Sequence, residues 1–429
     1  MTGITIKDDV LHSHKVLNFF GLKLKFRKNM KKVYERTHSN YKRVIKRIKE
    51  KSKNEKIKVI FLVSELEKWN GQQLYEAFDF NPDFEPIILV TVLAGIHYGY
   101  SLKKNRTEEI YNFFKNKNMK VDYAYRDGKY VDLQDFNPDI VFHQQPWQIE
   151  DIQSPEAVSK YALCCYISYG ISESKQTANL CKSFFCSIWK YFLTHECLKE
   201  DYLKLLKYNK ESLCVTGNPK LDFYKQANIV KQEESRHYVI YAPHHSVKDS
   251  ILKFATFDWS GYFMLEYAKK HPDINWLFKP HPNLKAHFIK TGYMSEEKID
   301  QYFEEWAKVG EVCTSGDYFS VFTDSEAMIT DCSAFLIEYS FTGKPLIHMI
   351  SSNSEKHSSI DRIVSENYYI VKNKETLEKY LDEILIKKND FLKEVRVNNI
   401  KKIFNSCKLS SDNIIEFLEK TLIVKNVKN

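Results

Sequence analysis

From Ile57 onward the chain alternates short apolar runs with longer amphipathic stretches. Ile57-Lys58-Val59-Ile60-Phe61-Leu62-Val63 is a near-continuous apolar run of strand length that ends at Ser64-Glu65. The pattern predicts a helix over 72–80, a strand at 86–92 and a helix over 107–116. Short strands follow at 121–125 and 139–143, and buried strands at 163–169 and 213–216. A second series opens at Tyr238-Val239-Ile240-Tyr241-Ala242-Pro243. It continues through a helix over 257–271, a strand at 274–278, helices within 283–306, and strands near 309–313 and at 327–330. A helix over 333–342, a strand at 345–349 and helices near 375–387, 390–405 and 412–423 complete it. Apolar strands separated by helices imply parallel sheets covered on both faces, because each crossover helix lies over the sheet it connects.

A chain of 429 residues exceeds what one hydrophobic core serves, so two domains are expected. The fold class is α/β, with two doubly wound Rossmann-like domains facing across a cleft and a basic helical arm at the N-terminus. The boundaries read as an arm over 1–56, an N-terminal domain over 57–230 and a C-terminal domain over 236–395. Helices over 396–429 pack back on the N-terminal domain, and the charged stretch 226–236 is the linker. Open parallel sheets bind ligands at the carboxyl ends of their strands, so those ends are where chemistry is sought.

Charge changes the picture at one place. Residues 1–58 hold 18 Lys/Arg against 5 Asp/Glu, so the overall +8 belongs to the arm and the body is net acidic. Residues 11–56 read as basic helices, with Val16, Leu17, Phe19, Phe20, Leu22, Leu24 and Phe26 supplying apolar bulk. The expected partner is an anionic membrane surface, each lysine contributing about 1 kcal/mol near the headgroups. The alternative is an arm packed on the protein or a dimer contact, which leaves an oligomer open. Lysine outnumbers arginine 55 to 9, which suits loose attraction rather than base or phosphate reading, so nucleic acid is not expected. No run of about 18 apolar residues predicts a span and no secretory pattern opens the chain, so a cytoplasmic location is expected. The nine cysteines show no CxxC pair and read as reduced core residues.

Four strand exits carry candidate chemistry. Phe278-Lys279-Pro280-His281-Pro282 follows a buried strand, and its prolines fix the backbone so that Lys279 and His281 are presented rigidly. Lysine binds phosphate as a point charge, and histidine donates to a phosphate oxygen or protonates a departing one. At Ile329-Thr330-Asp331-Cys332-Ser333-Ala334 a strand runs into a helix with Ser333 near the N-cap, an anion site by its amides and dipole. Glu338, further along that helix, suits ribose hydroxyls. Tyr241-Ala242-Pro243-His244-His245-Ser246 places two histidines in a turn. Adjacent side chains are expected to diverge, so they read as walls of the cleft rather than a metal site. In the N-terminal domain, Ile167-Ser168-Tyr169-Gly170 ends a strand, with Gly170 permitting close approach and Tyr169 positioning an acceptor or simply packing. Thr216-Gly217-Asn218-Pro219-Lys220-Leu221-Asp222 is equally credible as cleft, through Gly217 and Asn218, or as structure. His143 ends a strand and is a further cleft candidate.

Taken in order, Tyr241-Ala242-Pro243, Lys279-Pro280-His281-Pro282, Thr330-Asp331-Cys332-Ser333-Ala334-Phe335-Leu336-Ile337-Glu338-Tyr339 and Thr342-Gly343-Lys344-Pro345 resemble the CDP-glycerol glycerophosphotransferase family. These are the teichoic-acid and capsule polymerases and primases of GT-B fold. The likeness spans roughly 57–390 and is strongest over 238–350. It implies transfer of an alditol phosphate, most simply glycerol phosphate, from a CDP-activated donor to a hydroxyl of a glycan or lipid-linked acceptor, releasing CMP. It further implies that His281 acts on the donor phosphate with Lys279 beside it, and that Ser333, the following amides and Glu338 hold the nucleotide. Work at the inner face of a bacterial membrane also follows from it. Many members carry a histidine before the glycine of the N-terminal loop, where this chain has Tyr169. A phenol with a pKa near 10 is a poor base at neutral pH, which turns attention to His143 or Glu173. Ala334 stands where a second serine is common. No DxD-like pair appears, so neither metal nor cofactor is expected. The rival readings are a nucleotide-sugar glycosyltransferase of the same fold and a nucleotide-binding scaffold without turnover.

Overall fold

The computed structural model describes residues 5–8, 14–19, 22–51, 55–94, 106–171, 175–227, 238–247, 254–314, 318–351, 359–404 and 408–423. The chain forms two compact units, residues 1–222 with 408–429 and residues 223–407. The segment expected as a linker, 226–236, lies almost wholly outside the described residues.

The first unit is built on a seven-stranded parallel sheet. Its strands are β4 (Ile57–Val63), β5 (Phe84–Val90), β6 (Val121–Tyr123), β9 (Ile140–His143), β10 (Leu163–Ile167), β11 (Lys190–Leu193) and β12 (Leu213–Val215). A small ribbon, β7 (Tyr125–Arg126) with β8 (Lys129–Tyr130), intervenes. The order β12-β11-β10-β9-β4-β5-β6 is that of a doubly wound sheet, with the chain reversing direction of growth between β4 and β9. β4 is near-continuously apolar because both its neighbours and both its faces are covered: Val59, Ile60 and Val63 are fully buried.

The expected basic helices over 11–56 are corrected. Residues Thr5–Asp8, His14–Phe19 and Leu22–Arg27 form an antiparallel three-stranded sheet, β1-β2-β3, and only Met30–Lys49 is helical. Leu22, Leu24 and Phe26 alternate with Lys23, Lys25 and Arg27, a period of two, and in a hairpin that period wins over helical propensity. Nor is the helix a free arm. Its apolar face (Val33, Tyr41, Val44, Ile48) is buried, and Tyr41, Val44 and Ile48 join the core of the first unit. Asn40 donates to Ser159 Oγ at 3.1 Å, and Lys28 pairs with Glu156 at 2.7 Å. Asp139, only 1% exposed, accepts from Arg47 at 3.0 Å, from the Lys58 amide at 2.9 Å and from Lys51. A buried carboxylate held by two cations and an amide anchors the helix end to the sheet.

The C-terminal helix Ser410–Leu422 also belongs to the first unit, where Ile414, Ile415, Leu418 and Leu422 enter its core. It is docked by the Thr216–Asp222 segment. Asp222 accepts from the Ser410 amide at 2.7 Å and from the Ser411 amide and hydroxyl at 2.8 Å, satisfying the helix start. Gly217 has φ +86°, and a Cβ there would lie 2.3 Å from Ser410 Oγ. Only glycine fits.

The second unit carries a six-stranded parallel sheet: β13 (Tyr238–Ala242), β14 (Trp276–Phe278), β15 (Gly310–Val312), β16 (Ser325–Thr330), β17 (Leu346–Met349) and β18 (Tyr369–Val371). The order β15-β14-β13-β16-β17-β18 is again doubly wound, with its switch point between β13 and β16. Register pairs Ala242 with Thr330 and Tyr241 with Phe278, so the three strand exits named from sequence emerge at one edge. An aromatic stack of Tyr241, Phe278 and Trp306 fills the core beneath them, with Phe278 and Trp306 centroids 5.0 Å apart at 10°. Among the described residues no helix is long and apolar enough to cross a membrane, and eight cysteines are free thiols.

Candidate functional site

At the switch point of the second sheet the loops after β13 and β14 and the start of the helix Ser333–Ser340 converge. Asp331 organises them. Its Oδ1 accepts from the His244 amide at 2.6 Å, and its Oδ2 accepts from the Thr256 amide at 2.7 Å and the Thr256 hydroxyl at 2.9 Å. The side chain is buried, and burial pushes its carboxyl up to about 6, against the pull of those donors. Asp331 therefore positions loops. Thr330 is likewise committed, donating to the Ala242 carbonyl at 2.6 Å and accepting from the Cys332 amide at 3.0 Å. Cys332 is the N-cap and its side chain makes no cap hydrogen bond. Ser333 and Ala334 form the first turn of that helix.

The histidines that sequence reasoning expected to diverge instead gather. Ring centroids of His244 and His245 lie 4.3 Å apart, His245 and His281 4.1 Å, and His244 and His281 4.9 Å. The turn brings the first two together, and the His281 amide bonding to Pro243 O at 3.0 Å draws the β14 loop toward β13. His287, on the helix Leu284–Lys290, adds a fourth ring 5.3 Å from His245, and donates Nε2–H to Val247 O at 3.2 Å. Sequence reasoning missed it. Its six-residue separation from His281 across a Pro-containing turn was the available signal.

Burial, then the neighbouring imidazoles, holds His244 well below the usual histidine range. Burial, then His287, pushes His245 down to about 4. Both are neutral at pH 7. The Ser246 amide donates to His244 Nδ1 at 3.2 Å and the Asn283 amide to His281 Nδ1 at 3.1 Å. A ring nitrogen that accepts carries no proton, so these bonds place the N–H of His244 and of His281 on Nε2. Ligand atoms of His244, His245 and His281 lie within 4.8 Å of one another, a spacing that admits a metal ion. Metal-bound histidines, however, ordinarily donate their second N–H. Here the second nitrogens of His244 and His281 accept, so the cluster offers N–H donors, the chemistry of an anion site.

Lys279 departs from the cluster: its Nζ lies 3.7 Å from Cys313 Sγ, beyond the end of β15 on the far side of β14 from β13. Glu338 is buried and accepts from Tyr224 Oη at 3.2 Å.

The first unit has its own switch point, between β4 and β9. Gln144 bridges it, its Oε1 accepting the Ser64 and Glu65 amides at 2.9 and 3.1 Å and its Nε2 donating to Glu65 O at 2.7 Å. Lys68 pairs with Glu65 and donates to Gln145 Oε1 at 2.6 Å. The same ammonium lies 5.4 Å from the Trp147 ring centre and 5.5 Å from that of Tyr169. Burial and then Glu65 raise the Tyr169 hydroxyl above its ordinary value, opposed by Lys220, so it stays protonated. Ser168 O, just before it, accepts from Asn70 at 2.8 Å and Asn218 at 3.1 Å. Asn218 and Gly217 are thus engaged by the loop and the C-terminal helix, and Gly170 follows in the same loop. His143 is buried at the end of β9 against the Phe184 ring. Glu173 lies outside the described residues.

The fold has solved counterparts. A Neisseria meningitidis UDP-GlcNAc 2-epimerase bound to UDP-GlcNAc superposes with a TM-score of 0.57 at 14% identity, covering 85% of this chain and 100% of that one. An S. aureus MnaA–UDP complex gives 0.54 at 14% identity over 86% and 96%. A UDP-GlcNAc 2-epimerase from Methanocaldococcus jannaschii gives 0.53 at 14% over 85% and 100%. At such identities these likenesses show the fold alone: α/β of GT-B type with two Rossmann-like sheets. A search of curated proteins returned no match. The family model for CDP-glycerol:poly(glycerophosphate) glycerophosphotransferases matches residues 171–418, more than half of the chain and the whole of the second unit. The chain belongs to that glycerophosphotransferase family.

Proposed function

We propose that the protein transfers an alditol phosphate, glycerol phosphate first among them, from a CDP-linked donor to a hydroxyl of a cell-surface glycan or teichoic-acid-like acceptor, releasing CMP. The observation that carries this is the gathering of His244, His245 and His281 at the carboxyl ends of β13 and β14, with the Nε2–H donors of His244 and His281 beside a helix start whose N-cap side chain makes no cap hydrogen bond. A pyrophosphate is a dianion with several acceptor oxygens, and N–H donors with a helix N-terminus match it. In the transfer, the acceptor oxygen forms a bond to the donor's alditol-bearing phosphorus. The bond from that phosphorus to the bridging oxygen breaks, and the electron pair leaves with CMP. The proton of the acceptor hydroxyl passes to water, and His281 stabilises the departing oxygen by a hydrogen bond from Nε2–H, a role worth roughly 10²–10³-fold. Glu338 and the first turn of the Ser333–Ser340 helix hold the nucleotide. Tyr169, kept protonated, is a hydrogen-bond donor rather than the base.

The helix Met30–Lys49 presents Lys31, Lys32, Lys42, Arg43, Lys46 and Lys49 on its exposed face. That face suits peripheral attachment to anionic lipid on the inner side of a bacterial membrane by charge alone, since the apolar face is used within the protein.

The test is to offer CDP-glycerol, CDP-ribitol, UDP-sugars and CMP-sugars with glycan acceptors and identify the released nucleotide. CMP from a CDP-alditol supports the reading, with loss of turnover in His281→Ala. Release of a nucleoside diphosphate from a sugar nucleotide, or undiminished turnover in His281→Ala, overturns it.

A further inference from the structure

We propose that His287 is a positioning residue of the donor site: it fixes the His245 ring opposite His281, and so sets the cradle to the span of a pyrophosphate rather than of a single phosphate. This role rests on the reading above, in which the donor pyrophosphate lies among these imidazoles.

The loop after β13 runs from Pro243 to Val247 and is tied at both ends to the β14 loop and the helix that follows it. At its start, Pro243 O accepts from the His281 amide at 3.0 Å. At its end, Val247 O accepts from Nε2–H of His287 at 3.2 Å. His244 and His245 lie between the two ties. The first is a backbone bond that continues the pairing of β13 with β14. The second rests on one side chain. The Val247 amide in turn donates to His245 O at 2.8 Å, so whatever holds Val247 also holds the backbone of His245.

The rings differ in how they are braced. Nδ1 of His244 accepts from the Ser246 amide and lies 2.8 Å from Ser246 Oγ, and Nδ1 of His281 accepts from the Asn283 amide. His245 is only 6% exposed, yet its buried Nδ1 has no hydrogen-bond partner among the described residues. Its orientation therefore comes from the rings packed on it. His281 lies 4.1 Å away, His244 4.3 Å, and His287 stands edge to face at 5.3 Å and 82°.

The helix Leu284–Lys290 gives His287 a firm base. Leu284 and Phe288 are fully buried, and Phe288 packs on Phe257 with centroids 4.8 Å apart. The His287 amide donates to Asn283 O at 2.9 Å and the Leu284 amide to His281 O at 2.8 Å, so His281 and His287 are carried by the same helix and its entry. The separation of His245 from His281 is thus set from one rigid element. A pyrophosphate needs donors from both loops at a fixed spacing, whereas a single phosphate is satisfied by fewer of them. The titratable groups facing His245 are His244, His281 and His287, with Asp331 holding the His244 amide beside it. Burial and then His287 press the His245 pKa down to about 4, as close packing of the two rings requires.

The experiment titrates inorganic pyrophosphate and inorganic phosphate into the full chain at neutral pH by calorimetry. His287→Ala should weaken pyrophosphate about three- to tenfold, the scale of one lost hydrogen bond, while phosphate stays within about twofold of wild type. His287→Gln keeps a donor for Val247 O but not the ring, and should fall between wild type and His287→Ala. It also removes the imidazole that opposes a charge on His245. In that variant the His245 ring, followed by NMR of labelled histidine, should titrate at a higher pH than in wild type. Should His287→Ala fail to fold, His287→Gln carries the same test. A pyrophosphate-to-phosphate ratio that does not change, both anions weakened alike, His287→Gln no better than His287→Ala, or an unshifted His245 titration overturns the positioning role. Wild-type chain that binds no pyrophosphate overturns it together with the cradle. If the variants change the ratio as expected but no CDP-alditol is turned over, the positioning role stands and the transfer reading fails; turnover of a CDP-alditol with an unchanged ratio does the reverse.

Discussion

Asp331 offers the sharpest test of how the second unit's strand ends are held. Replacing it with Asn keeps the shape but turns one acceptor oxygen into an NH2 group. That group must then face an N–H donor, either at His244 or at Thr256, both bonded now at 2.6–2.7 Å. An orphaned buried donor costs about 1–3 kcal/mol. The charge works the other way. A carboxyl raised from 3.8 to about 6 means that ionisation in the fold is unfavourable, by about 3 kcal/mol at roughly 1.4 kcal/mol per unit. Global stability at pH 7 should therefore change little in Asp331→Asn, the two effects nearly offsetting, while local order is lost. Hydrogen exchange at the His244 and Thr256 amides should accelerate by about one to two decades, and donor affinity should fall with it. Between pH 4 and 6 the unfolded chain has lost this proton while the folded one keeps it. Wild-type stability contributed by the group is thus complete below about 4 and lost as pH rises through about 6, a slope that Asp331→Asn lacks. Wild-type protection at both amides in Asp331→Asn would refute the reasoning.

Gly217→Ala should destabilise the first unit by about 2–4 kcal/mol, from a positive φ and from a Cβ forced onto Ser410, and should expose the C-terminal helix to limited proteolysis. An unaltered unfolding midpoint would contradict this docking. Because burial holds His244 and His245 neutral, binding a donor pyrophosphate should raise their pKa values and take up protons near pH 6. Calorimetry in buffers of different ionisation heat reads this, and zero uptake would rule out the imidazole cradle. Asp139→Ala should cost about 1–3 kcal/mol, chiefly by leaving the Lys58 amide without its buried acceptor, since Arg47 and Lys51 can turn to water. Replacing Lys31, Lys32, Lys42 and Lys46 with Gln should weaken sedimentation with anionic vesicles, by about 1 kcal/mol per lysine, with neutral vesicles as control; equal binding to both vesicle types would count against the charged face.

Alternation of apolar runs and amphipathic stretches was sufficient to read two doubly wound sheets, because strand and helix periodicities are local properties of the chain. The ends of β4, β9, β13, β14 and β16, and so the placing of Lys279, His281 and Asp331 at strand exits, came from the same signal. β11 and β18 did not: with four and three residues they are too short to show a period, and only pairing with longer neighbours makes them strands. In the arm, charge density suggests helix, whereas the alternation over 22–27 belongs to a hairpin strand paired with 14–19.

What lay beyond the sequence was which side chains meet. Asp331 and His244 are 87 positions apart, and their contact exists because β13 and β16 are neighbours in the sheet. The gathering of four imidazoles, the departure of Lys279 toward Cys313 and the docking of the C-terminal helix by Gly217 and Asp222 have the same origin. Local pattern determines where a strand ends and what it offers there. Which offers face one another is decided by strand order and by the loops that buried polar groups pin in place, and these depend on the whole fold.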